Sequence, residues 1–95
     1  MSKYYDTVVG ILERMSGLTE AEILGGRSEM CADFRSILVE LISKKYINSE
    51  VVGMTGLTRQ SVTRITAGHA DRMKHKYSMR CAMHEAENEM AAFND

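Results

Sequence analysis

The stretch from Asn48 to His69, NSEVVGMTGLTRQSVTRITAGH, constrains this chain more than any other. Apolar residues at helical spacing stand on both sides of Gly56, so two short helices must meet at a single glycine. Asn48 or Ser49 is the expected cap of the first helix, because a short side-chain oxygen satisfies amides that the opening turn leaves free; Thr58 is the expected cap of the second. Counting outward from Gly56, the positions that pin the second helix onto the first are Val51, Leu57, Val62 and Ile65, and all four are apolar. Thr58, Arg59, Gln60, Thr63 and Arg64 then share the polar side of the second helix's N-terminal half, since residues three and four apart are neighbours on a helix. Ser61 belongs to the same turns.

A helix pair joined by such a turn is one of the shapes that enters the major groove of DNA. Arginine can pair in bidentate fashion with guanine and glutamine with adenine, while threonine offers a hydroxyl and a methyl. A solvated face on any small helical bundle has a similar composition, so the rest of the chain bears on the choice.

The 95 residues suit one domain able to bury one core without staples. There is no proline, 44% of residues are hydrophobic and eight are methionine, which points to an all-α fold, a compact bundle of five to six helices. Its first segment, Tyr4 to Ser16, places Tyr5, Val8, Val9, Leu12 and Met15 on one face and stops at Gly17. Thr19 and Glu22 form a capping box opening a short helix with Ile23 and Leu24, closed by Gly25 and Gly26. From Ser28 or Glu29 to Tyr46, Met30, Phe34, Ile37, Leu38, Leu41 and Ile42 share a face, so this is the expected central core helix. Gly68 is expected either to break or merely to weaken helicity before Ala70 to Phe93, which is rich in helix formers and holds no turn signal beyond Ser78. There Met79, Met83, Ala86, Met90 and Phe93 follow heptad spacing, and packing onto the domain's own core is favoured over a dimer seam. The whole chain is expected to be one domain, with residues 78–95 a C-terminal helical extension.

Net charge is -1, but it is unevenly placed. Residues 25–80 carry ten Lys and Arg against five Asp and Glu, whereas the flanking segments are net acidic. A local basic surface matters more than the sum for a protein that grips phosphates. Cys31 and Cys81 form no C-x-x-C pair, and nothing at the N-terminus reads as a signal peptide or membrane span, so the expected location is cytoplasmic. Cys81 and His84, with His69 and His75 upstream, lack the paired ligand spacing of a structural zinc site, and no metal or other cofactor is expected. No nucleophile with its base and no H-E-x-x-H occurs, so no enzymatic activity is expected. His69 and His75 are expected on or beside a basic helix, partly exposed. Arg72, Lys74 and Lys76 could extend the basic surface, with solvated charges as the plain alternative.

The order of elements over roughly residues 4 to 76 resembles the C-terminal domain of the bacterial replication initiator DnaA. The likeness is carried by the capped LTEAEIL turn, the Gly25-Gly26-Arg27 loop, the helix containing FRSILVELI, then NSEVVG and a recognition helix containing SVTRI. That resemblance implies duplex DNA binding with the helix-turn-helix in the major groove and a loop arginine, here Arg27, in the adjacent minor groove. Arg35 matches the arginine that opens the family's long helix. Thr58, Arg59 and Gln60 stand where the family has Asp-His-Thr, and Glu29 and Asp33 stand at two of its basic positions. No G-x-x-x-x-G-K-S/T phosphate loop occurs in the chain.

The expected function is therefore sequence-specific binding of double-stranded DNA, in replication or transcription regulation. Its expected contacts are Arg27, Arg35, Lys44, Lys45, Thr58, Arg59, Gln60, Ser61, Thr63 and Arg64. Lys44 and Lys45 also suit the negative end of a helix dipole. The competing expectation is a protein-interaction module that keeps the fold without DNA binding. A homodimer or protein partner through the C-terminal helix is the remaining partner expectation, and no membrane is expected.

Overall fold

Six helices follow one another in the computed structural model, which describes residues 2–93, the side chain of Phe93 excepted. They are α1 (Lys3–Ser16), α2 (Glu20–Gly25), α3 (Glu29–Ser43), α4 (Asn48–Thr55), α5 (Arg59–His75) and α6 (Tyr77–Phe93). Among the described residues there is no strand, and no helix is long and apolar enough to cross a membrane.

Helix α3 is central and packs against all five others. Ile37, Leu38, Val39, Leu41 and Ile42 are buried on it, each removing enough apolar surface to contribute about 1.5–3 kcal/mol relative to exposure. They meet Tyr5, Val8, Val9, Ile11 and Leu12 of α1, Ile23 of α2, and Val51 and Val62 of α4 and α5 in one core. Ser28 caps α3 by accepting the Cys31 amide at 3.1 Å. Two expectations about α3 are corrected. Met30 is 49% exposed, and its neighbour Cys31 turns inward instead, packed under the loop backbone at Gly26. The helix also stops at Ser43 rather than Tyr46, because Lys45 and Tyr46 both donate their amides to the Ile42 carbonyl in a closing turn. Tyr46 is held there from α1, with its hydroxyl 2.5 Å from Ser2 Oγ and its ring edge-on to Tyr4.

One device makes both turns that position the later helices. In Ser16-Gly17-Leu18 and in Thr55-Gly56-Leu57, the hydroxyl donates to the carbonyl four residues back, at 2.7 and 2.8 Å, and accepts the leucine amide at 3.0 and 3.1 Å. Between them the glycine takes a left-handed φ, 76° at Gly17 and 75° at Gly56, which a side chain would oppose. A threonine cap then opens the next helix in each case: Thr19 accepts the Glu22 amide and Thr58 the Ser61 amide.

The last break falls at Lys76, not at Gly68. Helix α5 runs through Gly68, and its final carbonyls, those of Met73 and Lys74, are taken by Arg80 Nη1 at 2.8 and 2.9 Å. The fold-back lays Met79, Met83, Ala86 and Met90 into the core against α1 and α3, so that face is covered within the chain and is not a free dimer seam. Phe93, the last member of the expected seam, has its side chain outside the described residues. Glu87 pairs with Lys44 at 2.7 Å and Glu89 pairs with Arg14, so part of the acidic C-terminal charge is met by bases of α3 and α1.

Candidate nucleic-acid interface

The pair α4 and α5 is joined by three residues, Gly56-Leu57-Thr58. Val51 and Val62 are fully buried at the seam, and Leu57 and Ile65 are half-buried against the same core, as their spacing implies. The first cap differs from expectation. Helix α4 begins at Asn48 with Ile47 in the cap position, where no side-chain acceptor exists, and the Glu50 carboxylate instead accepts the Ile47 amide at 3.1 Å. Asn48 is thereby left to reach across to α5, its Nδ2 standing 3.5 Å from Thr63 Oγ1. Thr58 caps α5 with its side chain, accepting from the Ser61 amide at 3.0 Å.

Thr58, Arg59, Gln60, Thr63 and Arg64 are all exposed, and Ser61 is half-buried beneath them. The pinned side and the open side of α5 thus divide as the apolar spacing requires. Arg64 leans back toward Ser61 Oγ at 3.4 Å, and the Thr58 hydroxyl donates to Ser61 Oγ at 3.0 Å. Among the described residues, Arg27, Arg59 and Arg64 are exposed and pair with no carboxylate.

A cleft of about 670 Å³ lies between α5, where Ser61, Arg64, Ile65, Gly68 and Arg72 line it, and the loop joining α2 to α3. Leu24, Ala32, Leu57 and Ile65 contribute its apolar wall, Gly25, Gly26 and Gly68 its close backbone, and Arg27, Arg35, Arg64 and Arg72 its cations. Gly26 is required there. A Cβ at that position would lie 2.6 Å from the Glu22 carbonyl oxygen and closer still to Cys31 Sγ. The loop therefore hugs the end of α2 and brings Arg27 to the cleft, with α5 from Ser61 to Arg72 forming another wall.

The remaining site residues divide. Arg35 is not a free contact. Its Nε donates to the Ile23 carbonyl at 2.9 Å and its Nη2 to that of Gly26, two carbonyls that the end of α2 would otherwise leave without partners. It positions the loop that carries Arg27. Lys44 and Lys45 do not join the cleft. They stand nine and ten residues beyond Arg35, about 13 Å or more along α3, where Lys44 pairs with Glu87 and Lys45 lies 4.5 Å over the Tyr4 ring. His69, expected to be partly exposed, is buried, with Nδ1 2.8 Å from Ser36 Oγ, and burial holds its pKa below the ordinary imidazole value. His75 is exposed at the end of α5.

Arg72 was legible in the sequence only as a possible extension of the basic surface, yet it lines the cleft beside Arg27 and Arg64. Its spacing from Arg64 through Gly68 is the available signal, two successive steps of four along one helical side. Arg72 and Lys76 are both engaged: each reaches Asp33 Oδ1, at 2.8 and 3.0 Å, and each pairs with Glu29 as well. Glu29 therefore serves α5 and leaves Arg27 alone. Comparison with protein-family models, with curated proteins and with solved structures finds no match to this chain.

Proposed function

We propose that this protein binds double-stranded DNA in a sequence-specific manner, reading bases with the first half of α5 and setting register through phosphate contacts around the adjoining cleft. One observation carries the reading. Arg59, Gln60, Thr63 and Arg64 are exposed on a helix whose opposite side is locked by Val62, while Arg27, uncompensated by any carboxylate among the described residues, lines a cleft together with Arg64. Such an arrangement offers donors to base edges in a major groove and an arginine to the groove beside it, where a narrow A·T-rich minor groove concentrates negative potential. The likeness of residues 4 to 76 to the DnaA C-terminal domain supports the same docking and a role in replication or transcription regulation. Cys31 and Cys81 are both free thiols, which agrees with a reducing, cytoplasmic setting.

A second reading, a protein-interaction module on the same scaffold, draws on the neutralisation of Arg72 and Lys76 by Glu29 and Asp33. Selection of bound duplexes from a random library at two salt concentrations separates the two. Enrichment of one motif at both concentrations supports specific DNA binding, because counterion release alone weakens all sequences together as salt rises. Retention of no motif at either concentration favours the protein-interaction module.

A further inference from the structure

Four charges link the start of α3 to the end of α5. Asp33 is largely shielded, 15% exposed at its side chain, and its Oδ1 takes both Arg72 Nη1 and Lys76 Nζ. Glu29, one helical turn earlier on α3 and 71% exposed, reaches the same two cations from outside. Arg72 belongs to the wall of the arginine cleft. A second, shallower hollow of about 330 Å³, lined by Glu29, Gly68, Asp71, Arg72, His75 and Lys76, continues from it across Gly68 and Arg72. The cations thus line a hollow that adjoins the cleft, and two carboxylates already occupy them.

We propose that Glu29 and Asp33 restrain indiscriminate binding: by holding Arg72 and Lys76 in ion pairs beside the cleft, they limit the number of phosphates the protein grips and so keep affinity for DNA of arbitrary sequence low. This rests on the reading of α5 as a DNA-reading helix. Affinity for arbitrary sequence comes almost wholly from phosphate contacts, whereas base contacts discriminate. A binder whose peripheral cations are already matched keeps its base readout and loses part of its indiscriminate grip. The carboxylates also repel a phosphate approaching either cation, so the restraint acts before any contact forms.

The test compares the parent with E29Q/D33N, and with E29Q alone, on a duplex carrying the selected motif and on one of scrambled sequence, across a salt series. Removing both carboxylates frees up to two cations, and a fourfold rise in salt then costs the double variant about tenfold more affinity than it costs the parent. The gain at low salt appears on both duplexes, so the scrambled duplex, weakly held by the parent, is bound measurably by the double variant. E29Q, at a mostly exposed position that removal does not unfold, moves the same way by a smaller amount and covers the case in which D33N loosens α3 from α5. A purely structural role for the four charges would lower the melting temperature and leave the salt dependence parallel to that of the parent. Parallel salt lines for both variants, with the parent still selecting its motif, overturn this inference and leave the DNA reading in place. A parent that selects no motif and binds neither duplex overturns both.

Discussion

Ser36 Oγ and His69 Nδ1 lie 2.8 Å apart in the buried seam between α3 and α5, joining the core helix to the helix that carries the polar face. Burial favours the neutral form of His69 there. Burial is the largest influence on it and lowers its pKa, with Glu40 and Glu87 acting to raise it and Lys44 and Arg72 to lower it. The sign of the pH effect follows. Above the ordinary imidazole value of 6.5 neither the folded nor the unfolded chain protonates this group, so it adds no pH dependence. Below that value the unfolded chain takes up a proton that the folded chain refuses, and stability falls by up to about 1.4 kcal/mol per pH unit until the folded form also titrates. Urea unfolding of the parent and of His69→Asn between about pH 7.5 and pH 5 measures this. The parent should lose stability on acidification more steeply than the variant; equal slopes would place the titration at another group.

Arg35 is assigned to the loop rather than to DNA, and stability separates the two roles. Arg35→Met keeps most of the apolar stem but removes the donors to the Ile23 and Gly26 carbonyls. Leaving those carbonyls without partners should cost about 1–3 kcal/mol in a denaturant titration. A variant as stable as the parent would show that the guanidinium does not hold the loop.

The elements that local chemistry decides could be read directly from the chain, and those decided by distant partners could not. Gly17, Gly56, Thr19 with Glu22, and Thr58 act through neighbours within four residues, and each forms the turn or cap that its spacing implies. Periodicity likewise placed Leu12, Ile37, Leu38, Ile42, Val51 and Val62 in the core. The start of α4 departs from expectation because Glu50 supplies the cap from inside the helix, a contact that an unremarkable Ile47 does not advertise. The break at Lys76 has no glycine or proline to mark it; it depends on Arg80 covering the last carbonyls of α5 and on Lys76 meeting Asp33 from 43 residues away. His69 was expected near the surface for the same reason, its hydroxyl partner lying 33 residues earlier. Of the expected contacts, Arg27, Arg35, Ser61 and Arg64 line one cleft, whereas Lys44 and Lys45 answer to Glu87 and Tyr4 elsewhere.

Arg27 tests the docking of the loop. It is exposed and pairs with no carboxylate among the described residues, so Arg27→Ala should leave the melting temperature unchanged. Binding to a selected duplex should weaken, most of all where the site has an A·T-rich flank, since a narrow minor groove rewards an inserted arginine. Equal binding by parent and variant on such sites would remove this contact and the minor-groove part of the docking.

Arg59 tests the central claim most directly, because it is exposed in the first turn of α5, the part of a reading helix that faces base edges, and it makes no side-chain hydrogen bond or ion pair among the described residues. The decisive measurement is the affinity of parent and Arg59→Ala for the selected duplex and for each single base-pair change within it, at one fixed salt concentration. If α5 reads bases, the variant loses roughly 1–3 kcal/mol on the selected site and its preference collapses at one position while the others persist. If the parent shows no preference at any position, or the variant loses affinity equally on every duplex, α5 does not read sequence through Arg59 and the claim fails.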